Sequence, residues 1–433
     1  MSLRALARSI PAVVRRDYLA TTAVHWLTLA SGLLLFHLVA RRASTSGFAY
    51  YQVARGAVAT IQPFALIGLV PALHKYLPRS GDRARTLALQ AFLIQVVVMD
   101  VFGLLGLLLA GDLGRLLGIP GGAPAVRAVV VLAAGNCLVV VAMAALRGTG
   151  QIRLSNAVSL LGLGLLPLLA FVVTTRIDVF LAVQGAATAA AAFAGIVLVR
   201  HHVPSPRRHT PPPPLRLLLR FGIRRAPGEI ALPALFAFPT FYVAGADPGS
   251  PSPGYLGFAT SAITLICSVF GMLTPVLLPR LSSHFQTAPT GRLPGAGPAA
   301  GGGARLARGL KTLPIAAAVL ATLAVVFLSA VAPVLVRGFL GPEFHGAVRV
   351  LRLALPASIP FAAFYAARPA LDALHETPVI SRLLLACLAA EIALTYATAG
   401  LCSPAASAIV GLMAASALLG ALSYAALLRA IPA

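Results

Sequence analysis

Apolar stretches of about 20 residues, each bounded by charges or by Gly/Pro clusters, recur along nearly the whole of this 433-residue chain. A run of that length spans the hydrocarbon of a bilayer as a helix. Only a helix or a closed barrel can satisfy its backbone polar groups there. The expected spans lie at about 17–39, 47–72, 87–110, 125–146, 154–175, 178–200, 221–245, 254–279, 312–336, 346–371, 380–399 and 404–428. They predict an all-α polytopic membrane protein with about twelve transmembrane helices. Arg4, Arg8, Arg15 and Arg16 precede the first run as they would in a secretory signal. The run is too long for one and no small-residue cleavage site follows, so it is expected to stay as a span.

Composition agrees. Apolar residues make up 59% of the chain and charged residues 10%, where a soluble domain carries about 25% charged residues. The formal charge of +23 reflects 34 basic against 11 acidic residues. These lie between the apolar runs, as anchors to anionic headgroups do, so no nucleic-acid partner is expected. With the N-terminus inside, the cytoplasmic segments hold 24 basic residues and the outer loops 8, while Arg55 and Arg368 fall within spans. That bias predicts both termini on the cytoplasmic side. Arginine supplies 32 of the 34 basic residues, and Ala and Pro abound, which suggests a GC-rich bacterial genome and hence an inner (cytoplasmic) membrane. Cys137, Cys267, Cys387 and Cys402 have neither metal-ligand nor redox spacing, and no metal or other cofactor is expected.

Two polar segments punctuate the spans. Residues 201–220 hold Arg207, Arg208 and the run Pro211 to Pro214, a stiff cytoplasmic linker between an N-terminal six-helix bundle (1–200) and a C-terminal one (221–433). Leu215 to Phe221 carries Arg216 and Arg220 among leucines, a pattern for a short helix lying on the headgroups. Residues 281–310, rich in Gly, Pro and Ala, are expected to be a disordered cytoplasmic loop. Neither segment has room for an attached enzyme domain, and the chain is not expected to be an enzyme.

Several short stretches recur in the order and places of a known family. They are Arg41-Arg42 followed by Gly47-Phe48-Ala49-Tyr50, then Leu218-Leu219-Arg220-Phe221-Gly222 and Gly254-Tyr255-Leu256-Gly257. Pro279-Arg280-Leu281-Ser282 follows, and then Phe339-Leu340-Gly341-Pro342-Glu343-Phe344 with Val350-Leu351-Arg352. On these stretches the chain resembles the polysaccharide-flippase (Wzx-type) branch of the multidrug/oligosaccharidyl-lipid/polysaccharide (MOP) exporter superfamily. The resemblance implies two six-helix bundles around a central cavity. It also implies alternating access that moves a polyprenyl-pyrophosphate-linked oligosaccharide, or a related glycolipid, from the cytoplasmic to the outer leaflet. Membrane lipids and polysaccharide assembly proteins are the implied partners. Proteins of this kind frequently carry an aspartate in span seven, where this chain reads Phe238-Pro239-Thr240.

Ionisable groups within spans are costly and mark candidate sites. Gln52, Arg55 and Gln62 fall within roughly an 80° arc of span two. A guanidinium suits pyrophosphate because its planar fork donates two parallel hydrogen bonds, and similar flippases have cavity arginines on early helices. Arg55 can equally be a structural residue that snorkels outward or pairs with a carboxylate. His25 shares a face of span one with Thr21 and Thr28, and either titrates near neutral pH or is hydrogen-bonded between helices. Arg224 and Arg225 open span seven as a basic entry site, or Arg225 and Glu229 form an i,i+4 ion pair. Arg368 and Asp372 have the same spacing and are expected to pair. Asp100, Glu229 and Glu391 are candidates for coupling transport to protons or sodium. A cation-coupled multidrug exporter of the same superfamily is the alternative reading. A membrane polysaccharide polymerase or ligase fits less well, because every outer loop is short.

Overall fold

The structure, a computed structural model, describes residues 12–116, 122–174, 176–204, 215–271, 300–374 and 379–431. Within these, side chains are described except at 12–19, 75, 79, 215–222, 224–226 and 300–307. Among the described residues, twelve helices of membrane-spanning length follow the expected order. They are α1 (Ala12–Arg42), α2 (Thr45–Leu66), α3 (Ala84–Leu108), α4 (Gly122–Gly148), α5 (Ile152–Val173) and α6 (Ile177–His202). The second six are α7 (Leu215–Ala246), α8 (Ser252–Gly271), α9 (Ala300–Phe339), α10 (Gly346–Leu374), α11 (Val379–Thr398) and α12 (Pro404–Ala430). Among the described residues there is no strand.

Eleven of these helices contain a stretch long and apolar enough to cross a membrane. The exception is α2, where Gln52, Arg55 and Gln62 interrupt the apolar sequence. It also stops short of the expected end at residue 72. Ile67 and Gly68 both turn left-handed, at φ of 48° and 67°, before a short helix Leu69–Tyr76 resumes. For a β-branched residue this is a strained backbone. Gln95 of α3, fully buried, donates its side-chain amide to the Ala65 carbonyl at 3.1 Å, satisfying one acceptor that the break leaves open.

Three further expectations are corrected. Leu215 to Phe221 is not a separate surface helix but the first turns of α7, which continues through Pro227, Pro233 and Pro239. The end of the expected disordered loop is helical from Ala300, because Ala, Leu and Arg from 304 onward favour a helix that runs unbroken into α9. The rest of that loop, with the Pro279–Ser282 stretch, lies outside the described residues, as does most of the proline-rich linker. Span ten is not one regular helix. A 3₁₀ turn at Leu355–Ala357 joins Gly346–Ala354 to Ser358–Leu374.

The chain divides into two compact units: Met1–Ser44 with Thr60–Ala226, and Thr45–Ala59 with Pro227–Ala433. In the first, α4 is the central post, buried along most of its length. It meets α6 at two glycines. A Cβ on Gly135 would collide with the Gly185 carbonyl, and one on Gly185 would lie 2.6 Å from Leu132 Cα. Small residues at such crossings let membrane helices pack backbone to backbone. In α5 the segment Leu160–Leu165 is a π-helical turn, and Thr188 of α6 donates to its Gly162 carbonyl at 3.1 Å.

In the second unit the short segment Thr45–Ala59 is fully integrated. Phe48 packs edge-on against Phe344 with ring centroids 5.2 Å apart, and Tyr255 meets the same ring at 6.3 Å. Gly254 leaves room for Phe48, since a Cβ there would sit 3.1 Å from its ring. Three of the stretches that carry the family resemblance therefore converge, Gly47–Tyr50, Gly254–Gly257 and Phe339–Phe344, and they do so as packing.

Candidate functional site

Because α2 is shared between the units, the polar residues expected on one face of it divide. Gln52 and Arg55 belong to the second unit, while Gln62 and His25 belong to the first.

In the second unit, Tyr51 and Gln52 are buried and Arg55 is exposed. Gln52 owes its place to Gly257. A Cβ at that glycine would lie 2.6–3.0 Å from the Gln52 side chain, so only glycine admits the amide. Arg55 Nη1 donates to Gln52 Oε1 at 3.3 Å, and the guanidinium carbon stands 5.7 Å from the Tyr51 ring centroid. The buried amide and the aromatic ring thus both lie against the Arg55 guanidinium. Gln52 Nε2 is buried without a hydrogen-bond partner among the described residues. The ensemble can recognise an anion, with an exposed cationic residue and a spare amide hydrogen beside it.

A second charged group links α7 to α10. Arg368 Nη2 lies 3.6 Å from Glu229, and its Nε lies 3.6 Å from Asp372. The Arg368–Asp372 spacing thus closes as expected. Glu229 reaches Arg368 on another helix, which the i,i+4 spacing from Arg225 did not predict. Arg224 and Arg225 lie on α7, with side chains outside the described residues.

The third group is on α11. Glu391 is 0% exposed, and neither carboxyl oxygen has a hydrogen-bond partner among the described residues. Thr395, one turn further, is equally buried with its hydroxyl unpartnered. Gly411 of α12 makes the contact that encloses them, since a Cβ there would strike Thr395 Oγ1 and approach the Glu391 carbonyl oxygen to 2.9 Å. A charged carboxylate in such a place needs either a proton or a cation.

In the first unit, His25 is exposed beside the edge of Trp26, with ring centroids 6.4 Å apart. Its neighbours on the same face are half-buried. Thr21 accepts from Asn156 Nδ2 at 3.1 Å, and Thr28 Oγ1 is buried without a partner among the described residues. Gln62 is half-buried. Asp100 is exposed on α3, among large apolar side chains rather than in a polar recess. The sequence reading missed Tyr51, Gly257 and Thr395. Thr395 was visible as the i+4 neighbour of Glu391, whereas Gly257 lies too far along the chain to be matched with Gln52. Among the described residues no group of three or more His, Cys, Asp or Glu side chains could hold a metal ion.

No family model matches the sequence, and no curated protein matches it. Solved structures do. A multidrug resistance MATE family transporter of the MOP superfamily, in its inward-facing conformation, superposes with a TM-score of 0.65 at 15% identity, covering 93% of this chain and 94% of that one. The lipid II flippase MurJ, in an inward closed conformation, gives 0.65 at 12% identity, covering 94% and 86%. The eukaryotic MATE transporter AtDTX14 gives 0.59 at 13% identity, covering 94% of both chains. These likenesses extend over nearly the whole of each partner, and by them this chain shares the fold of those proteins.

Proposed function

We propose that this protein is a membrane transporter that flips a polyprenyl-pyrophosphate-linked oligosaccharide, or a related glycolipid, from the cytoplasmic to the outer leaflet by alternating access. The observation that carries this reading is Arg55. It is an exposed cationic residue on a helix of spanning length, in contact with the buried Gln52 and Tyr51. A cation so placed favours an anionic headgroup over the organic cations typical of drug export, and the flippase likeness supports it. Gln52 beside Arg55, and separately Arg224, Arg225, Gln62 and His25 of the first unit, are proposed as further polar groups for phosphates and sugar. The deciding experiment reconstitutes the protein in liposomes and follows a fluorescent polyprenyl-pyrophosphate oligosaccharide alongside small cationic dyes. Movement of the glycolipid is the expected result, and movement of the dyes alone would replace this reading with drug export.

That second reading has its own support in an equal TM-score to a multidrug transporter and in the enclosed Glu391. In either case we propose Glu391, with Thr395, as the group through which a cation gradient drives transport. Glu229 is less suited, because it already lies beside Arg368. Glu391→Gln is expected to abolish substrate accumulation driven by an imposed proton or sodium gradient while leaving gradient-free exchange intact. The measurement is uptake into liposomes with and without each gradient. Unchanged driven uptake in the variant would remove Glu391 from the mechanism.

A further inference from the structure

On α3, the residues Leu93, Val97, Asp100, Leu104 and Leu107 succeed one another at intervals of four, three, four and three. That spacing is the a/d repeat of a left-handed coiled coil, which keeps one seam facing a partner helix. The seam is bare. Leu93, Val97, Leu104 and Leu107 are 63%, 54%, 59% and 47% exposed, and Asp100 between them is exposed too. The opposite face of the same helix, with Ala88, Ala91, Gln95, Met99 and Gly106, is buried. Gly106 is set against Val130 of α4. Helix α3 is therefore anchored by one side and presents the other outward.

A strip of exposed leucine and valine on a helix of spanning length is suited to hydrocarbon. Asp100 lies four residues past the helix midpoint, about 6 Å along the axis, within a hydrocarbon core about 30 Å thick. Its side chain is too short to snorkel as lysine or arginine does, and no hydrogen bond or ion pair joins it to a described residue. Leucines alone do not bring helices together in lipid, because lipid tails are just as apolar. Packing and polar contacts between helices do so. The seam supplies the shape and Asp100 the polar contact.

We infer that this seam is the docking surface for a transmembrane helix of another protein, one that carries an arginine or lysine at the depth of Asp100. Each of these charged groups is costly in lipid alone, and pairing them relieves both. A single polar residue in an otherwise apolar seam also fixes the register of the pair. A second copy of this chain is disfavoured as the occupant, since two-fold pairing on the seam would set Asp100 against Asp100. The inference stands apart from the choice between glycolipid and drug as substrate.

The test uses the full chain in liposomes, with an acceptor dye on the exposed Cys402, the other three cysteines being buried. The probes are donor-labelled synthetic helices of about 24 residues, one all leucine and one with a single arginine at mid-length. The arginine helix is expected to associate with the wild type at least about tenfold more tightly than the leucine helix. Asp100→Leu should erase that difference, and Asp100→Asn should keep part of it through a neutral hydrogen bond. An unchanged thermal midpoint would show that both variants fold. The inference is overturned if the two helices bind alike, or if Asp100→Leu leaves the arginine helix bound. It is also overturned if the wild type self-associates through Asp100 and ignores the probe.

Discussion

Arg55→Ala is expected to abolish glycolipid flipping while leaving the protein inserted and folded. Arg55 is exposed in the second unit, so its truncation is expected to leave the core folded. The Gln52 amide loses only a 3.3 Å contact. What is lost is the proposed pyrophosphate contact, which is desolvated when substrate binds. Truncating one partner of such a charged pair costs roughly 2–5 kcal/mol, or about 30-fold and upward in rate. Arg55→Lys keeps the charge but not the planar fork, so about a tenfold deficit should remain. Initial flipping rates in liposomes at matched protein density measure both. Wild-type flipping by the alanine variant would rule out Arg55 as a substrate ligand.

Gly185→Leu is expected to prevent folding of the first unit. Even a single Cβ at this position would lie 2.6 Å from Leu132 N and Cα, and at Gly135 it would meet the Gly185 carbonyl. The colliding atoms are backbone in the middle of buried helices, so no side chain can swing aside. Inserting groups into a packed core costs about 1–3 kcal/mol where neighbours can adjust, and more is expected where they cannot. The predicted result is aggregated protein on size-exclusion chromatography in detergent. Gly32→Leu is the control, because nothing lies within 4 Å of the Cβ built there. A monodisperse Gly185→Leu sample with a wild-type thermal midpoint would contradict the close crossing of α4 and α6.

The spans were legible because lipid imposes length and apolarity directly on the sequence. Among the described residues a helix lies at each expected span, though span two breaks after Leu66, and eleven are long and apolar enough to cross a membrane. Pairings between distant residues were not legible. Helical arithmetic sees only three or four residues ahead, so it offered Arg225 to Glu229 and could not see Arg368 across on α10. It could not foresee that Gln52 needs Gly257, nor that Thr45–Ala59 packs with the second unit. The break after Leu66 was marked only by Gly68 and by Pro63 and Pro71, which apolar runs often tolerate. The seam through Asp100 is a case of the opposite kind. Its spacing was readable, but only exposure shows that it faces outward.

The division of α2 between the two units bears on how the protein is made. When Thr45–Ala59 leaves the ribosome, its packing partners Gly254, Gly257 and Phe344 do not yet exist. They lie about 200 to 300 residues downstream, or tens of seconds at usual synthesis rates. For that interval a segment carrying Gln52 and Arg55, and too polar to cross the membrane unaided, has nothing to pack against. The first unit is complete in sequence by Ala226, whereas the second is completed only by a segment made long before the rest of it. Severing the chain between Ala226 and Pro227 would leave the first unit whole in one fragment and strip the second of its Thr45–Ala59 segment.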